Sequence, residues 1–348
     1  MHITINQIEI EVHSNETLLE TARRAGFDIP SLCYAPNAVH KSSCMVCAVR
    51  DCVTGQILPS CTTYSTEGIH IDTESDEIQM IRTLSLELLL SDHRADCEAP
   101  CSMVCPNGLD IEQMLHFYDT GRYEAAQQMI EEVFALPVLG CDDCKAPCEK
   151  VCRRGTVDKV IPIRAIVGEL AEMYEPTVTN TQKVIHKKDK TMFQSRLGRF
   201  TESEKMWLRE PETRTIQLST KSNTNGTAPD VVKLSGCLHC ACAGREGCKL
   251  RLYATAAGIK RPRYGLSSAL PAMKKIYVTG DMWFEPAKCI RCGLCIYNSN
   301  NGFTFKDRGF GMQVIIPDTN RSNVGEDLAD LCPTGALYIY SGRENCMS

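Results

Sequence analysis

Between His93 and Cys152 the chain sets seven cysteines and one histidine in two tight groups: His93, Cys97, Cys101 and Cys105, then Cys141, Cys144, Cys148 and Cys152. Spacings of three or four residues let successive side chains face one small volume. The interval between the groups is about the length of one helical hairpin. A chain this rich in clustered thiols has to be organised around whatever the thiols hold.

The 348 residues include 21 cysteines, an odd number. Disulfides of that density belong to small secreted chains, and nothing else here fits that class. Residues 1–12 alternate like a strand and lack a basic segment followed by an apolar core, so no signal peptide is read and the cytoplasm is expected. No run of about 18 apolar residues occurs, so no membrane span is expected. The net charge of −5 argues against nucleic acid or an anionic membrane as partner. Zinc sites use separated C-x2-C pairs. Three or four cysteines in one run, followed by proline, favour iron–sulfur clusters, and eight ligands suit two [4Fe-4S] clusters.

Read in order, residues 1–12 form a strand and turn, and Asn15–Ala25 an amphipathic helix capped near Ser14 or Asn15. Cys33, Cys44, Cys47 and Cys61 follow, in the words Pro30-Ser-Leu-Cys33-Tyr, Ser43-Cys44-Met-Val-Cys47-Ala-Val and Leu58-Pro-Ser-Cys61-Thr. This pattern resembles the N-terminal [2Fe-2S] domain of the large iron–sulfur subunit of respiratory NADH dehydrogenase and of related iron-only hydrogenases. The resemblance implies a β-grasp ferredoxin domain over 1–76 with the four cysteines as ligands. Cys52 has no place in the pattern and is expected to be a plain apolar cysteine.

A helical stretch over 77–90 leads to His93, four residues before Cys97. The same family has such a helix before H-x3-C, in which the histidine ligates a [4Fe-4S] cluster. A histidine at a helix end otherwise reads as a surface group or a partner of the helix dipole. After Cys97 the chain departs from that family. Cys101-x3-Cys105-Pro, Ala146-Pro-Cys148-Glu-x2-Cys152-Arg-Arg-Gly155 and Ile161-Pro-Ile-Arg resemble the helical two-cluster domain of the glutamate synthase small subunit and dihydropyrimidine dehydrogenase. The crossed arrangement of that domain gives Cys97, Cys101 and Cys152 to one cluster and Cys105, Cys144 and Cys148 to the other. His93 and Cys141 then remain to complete them. The Gln or Glu that can serve in the family falls on Val167, which has no donor, so Cys141 is expected in its place. An uncrossed grouping, 93–105 against 141–152, uses the same eight residues and stays open.

Residues 179–232 have linker composition, with a Lys-rich run at 183–190 and a short helix expected at 202–208. Cys237, Cys240, Cys242 and Cys248 then fall within twelve residues and are expected to hold a further [4Fe-4S] cluster, with His239 a candidate to replace one of them. The ending G-C-x-L-x-x-x-A resembles the last part of the His/Cys motif of the NADH dehydrogenase family. Cys289, Cys292, Cys295 and Cys332, the last in C-P-x-G-A-L, resemble a four-cysteine [4Fe-4S] site of the same family and of iron-only hydrogenases. Cys346 is left over.

The expected fold class is therefore α+β: a β-grasp domain over 1–76, a helical double-cluster domain over 77–178, a linker over 179–232 and a ferredoxin-like C-terminal region over 233–348 holding two clusters. Expected cofactors are one [2Fe-2S] and four [4Fe-4S] clusters. No G-x-G-x-x-G after a strand and no P-loop occurs, so no nucleotide site is read. The chain is expected to be a non-catalytic electron-transfer subunit of a multisubunit cytoplasmic oxidoreductase. Its partners would be an NAD(P)H-linked flavoprotein carrying FAD or FMN and a further redox subunit. An iron–sulfur redox sensor is the alternative, against which stands the lack of any DNA-binding element.

Overall fold

The computed structural model describes residues 1–119, 121–134, 141, 143–173, 193, 202–209, 235–242, 247–264, 276–279, 282–300, 302–316 and 325–339. They fall in two compact units, Met1–Arg94 with Ala243–Ser348, and Ala95–Cys242. The Lys-rich run at 183–190 and Cys346 lie outside the described residues.

The first unit begins with β1 (His2–Ile5) and β2 (Ile8–Glu11). Ile3 and Ile5 alternate inward along β1, and the connection uses Asn6 and Gln7, both at positive φ, as a two-residue hairpin turn requires. Helix α1 (Leu18–Arg24) starts at Thr17 rather than at Ser14 or Asn15. Glu20 stands three residues on, so Thr17 and Glu20 close a reciprocal capping box that the earlier residues have no partner to form. The helix ends as Gly26 takes φ 88° and the Gly26 and Phe27 amides bond back to Arg23 and Ala22.

Strands β3 (Ala48–Asp51), β4 (Ile57–Pro59) and β5 (His70–Asp72) complete a five-stranded sheet in the order β2-β1-β5-β3-β4, in which only β1 and β5 run parallel. Helix α2 (Asp76–Ser91) packs on β3. Arg82, buried at 6 % exposure, donates Nε and Nη2 to the Ala48 carbonyl at 3.1 and 2.8 Å. That carbonyl lies one residue after Cys47. Arg82→Met should remove both charge-assisted bonds at a cost of about 2 kcal/mol. A melting temperature about 4–8 °C lower is expected for the full chain; an unchanged one would mean that the helix docks without this bond.

The second unit is helical. Its elements are α3 (Pro100–Val104), α4 (Ile111–Asp119), α5 (Tyr123–Val133), α6 (Pro147–Lys150), α7 (Ile163–Glu172) and α8 (Glu202–Arg209). The α4–α5 hairpin turns at Gly121, at φ 72°. Met114, Leu115, Tyr118, Ala126, Ile130, Ile166, Val167 and Leu170 form the buried core where α5 packs on α7. Val167 is fully buried there, so the family's ligand position is a packing position in this chain. α8 is bound to the unit through Arg209, which donates to the Val157 carbonyl at 3.0 and 2.7 Å. Part of the stretch with linker composition is thus a docked helix.

The chain returns to the first unit with α9 (Lys249–Ala256), which packs on α2. Strands β6 (Ile276–Thr279) and β7 (Met282–Phe284), helix α10 (Leu294–Asn298), strands β8 (Thr304–Lys306) and β9 (Gln313–Ile315), and β10 (Leu337–Ile339) follow. β10-β7-β6 form an antiparallel sheet and β8-β9 a hairpin. Val278, Met282, Phe284, Phe303, Val314, Leu328, Ala336 and Leu337 build one core, with Cys289, Cys295 and Cys332 packed against it. The fold is α+β. Helix α2 lies with the sheet and α9 in the first unit, whereas the expected helical domain begins at 77.

Candidate iron–sulfur sites

Cys33, Cys44, Cys47 and Cys61 are brought together by three loops around one end of the five-stranded sheet, and all four are buried. Cys33 and Cys44 Sγ lie 3.4 Å apart. Two thiolates about 2.3 Å from one tetrahedral metal would stand roughly 3.7 Å apart. Bonding between neighbouring thiols pulls the Cys47 thiol down to about 6, Cys61 being the largest cause, and depresses Cys33 through Cys44 and Cys61. Cys44 and Cys61 are raised in turn, each by its bond to Cys33. Iron would have to displace the protons that remain. The loop is held by its backbone: Ser60 Oγ donates to the Cys47 carbonyl at 2.7 Å, and His40 Nε2 lies 2.9 Å from the Cys61 carbonyl. Cys52 is exposed rather than packed as an apolar residue, because its amide extends the sheet by donating to His70 O while its side chain points outward.

Cys289, Cys292, Cys295 and Cys332 also converge. Burial, and after it the neighbouring Cys332, raises Cys289 to about 12 and pushes Cys292 up, while burial and then Cys289 push Cys295 up. Two amides already point at sulfur, Arg291 N–H to Cys289 Sγ at 3.3 Å and Leu337 N–H to Cys332 Sγ at 3.4 Å. Gly293 takes φ 82°, and a Cβ there would lie 2.5 Å from the Tyr297 ring. The two sites in this unit adjoin. Cys33 lies within electrostatic reach of Cys292. Asn298 accepts from the Val39 amide at 2.9 Å and donates to the Val39 carbonyl at 2.8 Å, and Lys41 Nζ sits 4.8 Å from the centre of the Tyr297 ring.

His93 also belongs to the first unit. It is buried, and burial, followed by the Lys288 ammonium, lowers its pKa to about 4, so the ring is neutral as a metal ligand must be. Arg94 N–H donates to the Ala287 carbonyl at 3.1 Å, which seats this corner on the turn leading into Cys289. Cys248 caps α9, its Sγ accepting from Arg251 N–H at 3.3 Å.

In the helical unit α3 packs against α6. Burial raises the Cys101 thiol, with the Glu112 carboxylate next and then Cys152 ahead of Cys148. Burial lifts Cys148 to about 11, and its thiol neighbours are Cys105 and Cys141. Cys144 stays close to Cys141, donating its amide to the Cys141 carbonyl at 3.1 Å. Cys237, Cys240 and Cys242 lie in this unit too, whereas Cys248 lies in the other. Cys97 and Cys242 each follow a residue of the parallel bridge between Asp96 and Ala241. His239 has both ring nitrogens facing carboxylates, Nδ1 to Glu112 at 3.0 Å and Nε2 to Asp119 at 3.4 Å, which takes it out of a ligand role. Glu112, Asp119 and Asp96 are buried, and Asp96 pairs with Arg153 at 2.7 Å. Sequence reasoning passes over these carboxylates because no spacing marks them. Among the described residues no three Cys, His, Asp or Glu side chains close on a single metal ion.

Residues 1–76 match the family described as 2Fe-2S iron-sulfur cluster binding domain. Residues 90–176 match dihydropyrimidine dehydrogenase domain II, 4Fe-4S cluster. This is an iron–sulfur protein. The two modules that make up the mosaic expected from the sequence are both borne out by these matches.

Among similar proteins is an NADH-quinone oxidoreductase subunit of Rhizobium meliloti, 29 % identical over 121 residues, covering 34 % of this chain and 14 % of that one. The NADPH-Fe(3+) oxidoreductase subunit alpha of Geobacter sulfurreducens is 33 % identical over 119 residues, with the same coverage. The NADP-reducing hydrogenase subunit HndD of Solidesulfovibrio fructosivorans is 38 % identical over 115 residues, 32 % of this chain and 19 % of that one. The iron–sulfur chain thus spans between 14 and 19 % of the length of these relatives. No helix among its described residues is long and apolar enough to cross a membrane.

Proposed function

We propose that this iron–sulfur chain relays single electrons inside a multisubunit cytoplasmic oxidoreductase, between an NAD(P)H-linked flavoprotein and a further redox subunit. One [2Fe-2S] cluster, on a β-grasp domain, and four [4Fe-4S] clusters would carry them. The observation that carries the reading is the docking of the Cys33–Cys44 loop on α10, through both backbone groups of Val39 and the Asn298 amide. Two one-electron sites there would stand side by side, which is what a relay needs and an isolated sensor does not. Thiolate ligation by short loops with amides aimed at sulfur supports the clusters.

Anaerobic purification of the full chain should yield about 18 irons per chain, from one two-iron and four four-iron clusters. Electron paramagnetic resonance after chemical reduction should resolve both cluster types. Iron near ten or below after anaerobic handling, with stoichiometric zinc, would overturn the reading.

A further inference from the structure

We propose that Cys237 and Cys240 complete, with Cys101 and Cys152, one [4Fe-4S] site of the helical unit, and that Cys105, Cys141, Cys144 and Cys148 form the other. The proposal rests on the iron–sulfur reading above. It changes the ligand sets, taking two cysteines from the 237–248 run into a module more than eighty residues upstream.

The placement of the 235–242 segment carries it. Three anchors fix this segment on the helical unit. Ser235 gives its amide and its hydroxyl to the two oxygens of Asp119, at 2.5 and 2.7 Å. His239 stands between Glu112 and Asp119, one at each end of α4. Asp96 donates its amide to the Cys240 carbonyl at 3.3 Å and accepts from the Cys242 amide at 3.0 Å. Cys101 lies between these anchors in sequence, and α3 is tied to the start of α4 by the Glu112 amide on Ser102 Oγ at 3.2 Å. Arg153, the residue after Cys152, pairs with Asp96 at 2.7 Å, on the same residue whose backbone holds Cys240 and Cys242.

The turn itself has the form of a ligand pair. In Cys237-x2-Cys240 the residue two past the first cysteine, His239, is left-handed at φ 48°, and its amide donates to Cys237 Sγ at 3.4 Å. In Cys289-x2-Cys292 the residue at the same place, Arg291, is left-handed at φ 57°, and its amide donates to Cys289 Sγ at 3.3 Å. A left-handed non-glycine is uncommon and costs energy, so its recurrence at the same place in these two of the chain's five C-x2-C pairs points to one shared demand. The demand is two sulfurs turned to one side with an amide on the first. His239, held by two carboxylates, locks that turn. The regrouping assigns His93, Cys97, Cys242 and Cys248 to neither of these two sites.

Single and double variants of the anaerobically purified full chain test it, read by iron content and paramagnetic resonance. Cys101→Ala and Cys237→Ala should each abolish the same cluster signal and cost about four irons, and the double variant should lose no more than either alone. Cys248→Ala should abolish a different signal. Cys237→Ser, with oxygen still able to ligate, should retain part of the signal that Cys237→Ala loses. If Cys237→Ala and Cys248→Ala abolish one common signal, or if Cys101→Ala and Cys237→Ala lose separate clusters that add in the double variant, the regrouping is wrong. Wild-type protein without clusters would instead sink the functional reading on which it rests.

Discussion

NADH or NADPH added to the isolated chain should leave its clusters oxidised, whereas adding the flavoprotein that copurifies in the native complex should reduce them within about a second. Hydride delivers two electrons at once, and an iron–sulfur cluster takes one. No nucleotide-binding fingerprint is read in this sequence, and the proposed relay therefore requires a flavin to split the electron pair. Flavoenzyme turnover of about 1–1000 per second sets the expected speed with the partner. Stopped-flow bleaching of the visible cluster band measures it. Rapid bleaching by NAD(P)H in a preparation proven free of flavin would refute the requirement for a partner.

The second large effect concerns His93. The ring is buried and neutral, the state in which an imidazole ligates metal. Replacing it with a thiolate adds a negative charge to the ligand set. We expect His93→Cys to keep the iron but lower the potential of one cluster by roughly 100–300 mV, scaled from the gap between Rieske and all-cysteine two-iron centres. His93→Ala should leave that cluster labile or reduced to three irons. A merely structural histidine would move stability and leave every potential in place. Potentiometric titration of the two variants beside the wild type separates these outcomes.

What is legible in the sequence is local. Thr17 and Glu20 are spaced as a capping box, yet Ser14 and Asn15 are equally good caps by residue type alone, which draws the expected helix start two or three residues early. The four thiols at 33–61 and the four at 289–332 are readable because their spacing is itself the signal. Helix α8 is legible almost to the residue, though it lies in a stretch of linker composition. The ligand sets around α3 are not readable. A run of Cys237, Cys240, Cys242 and Cys248 looks like one site only while the chain is treated as a line. The carboxylates of Glu112 and Asp119 and the backbone of Asp96, which hold residues 235–242 on the helical unit, come from far upstream and have no periodic mark. The environment of His93 is hidden for the same reason, since Glu285 and Lys288 stand nearly two hundred residues away.

The first unit is discontinuous: the chain leaves it at Arg94 and re-enters it at Ala243. On a ribosome this imposes a schedule. All four thiols of the two-iron site emerge before the excursion, whereas α9, which packs on α2, and the whole 289–332 site emerge after it. At about 5–20 residues per second, synthesis of residues 95–242 takes roughly 7–30 s. Through that interval the face of α2 that α9 later covers, and the loop that Asn298 later grips, are without their partners. Iron delivery to the N-terminal site can therefore precede completion of the unit. The four thiols beside it are all present only once Cys332 has been made, well over two hundred residues after Cys61.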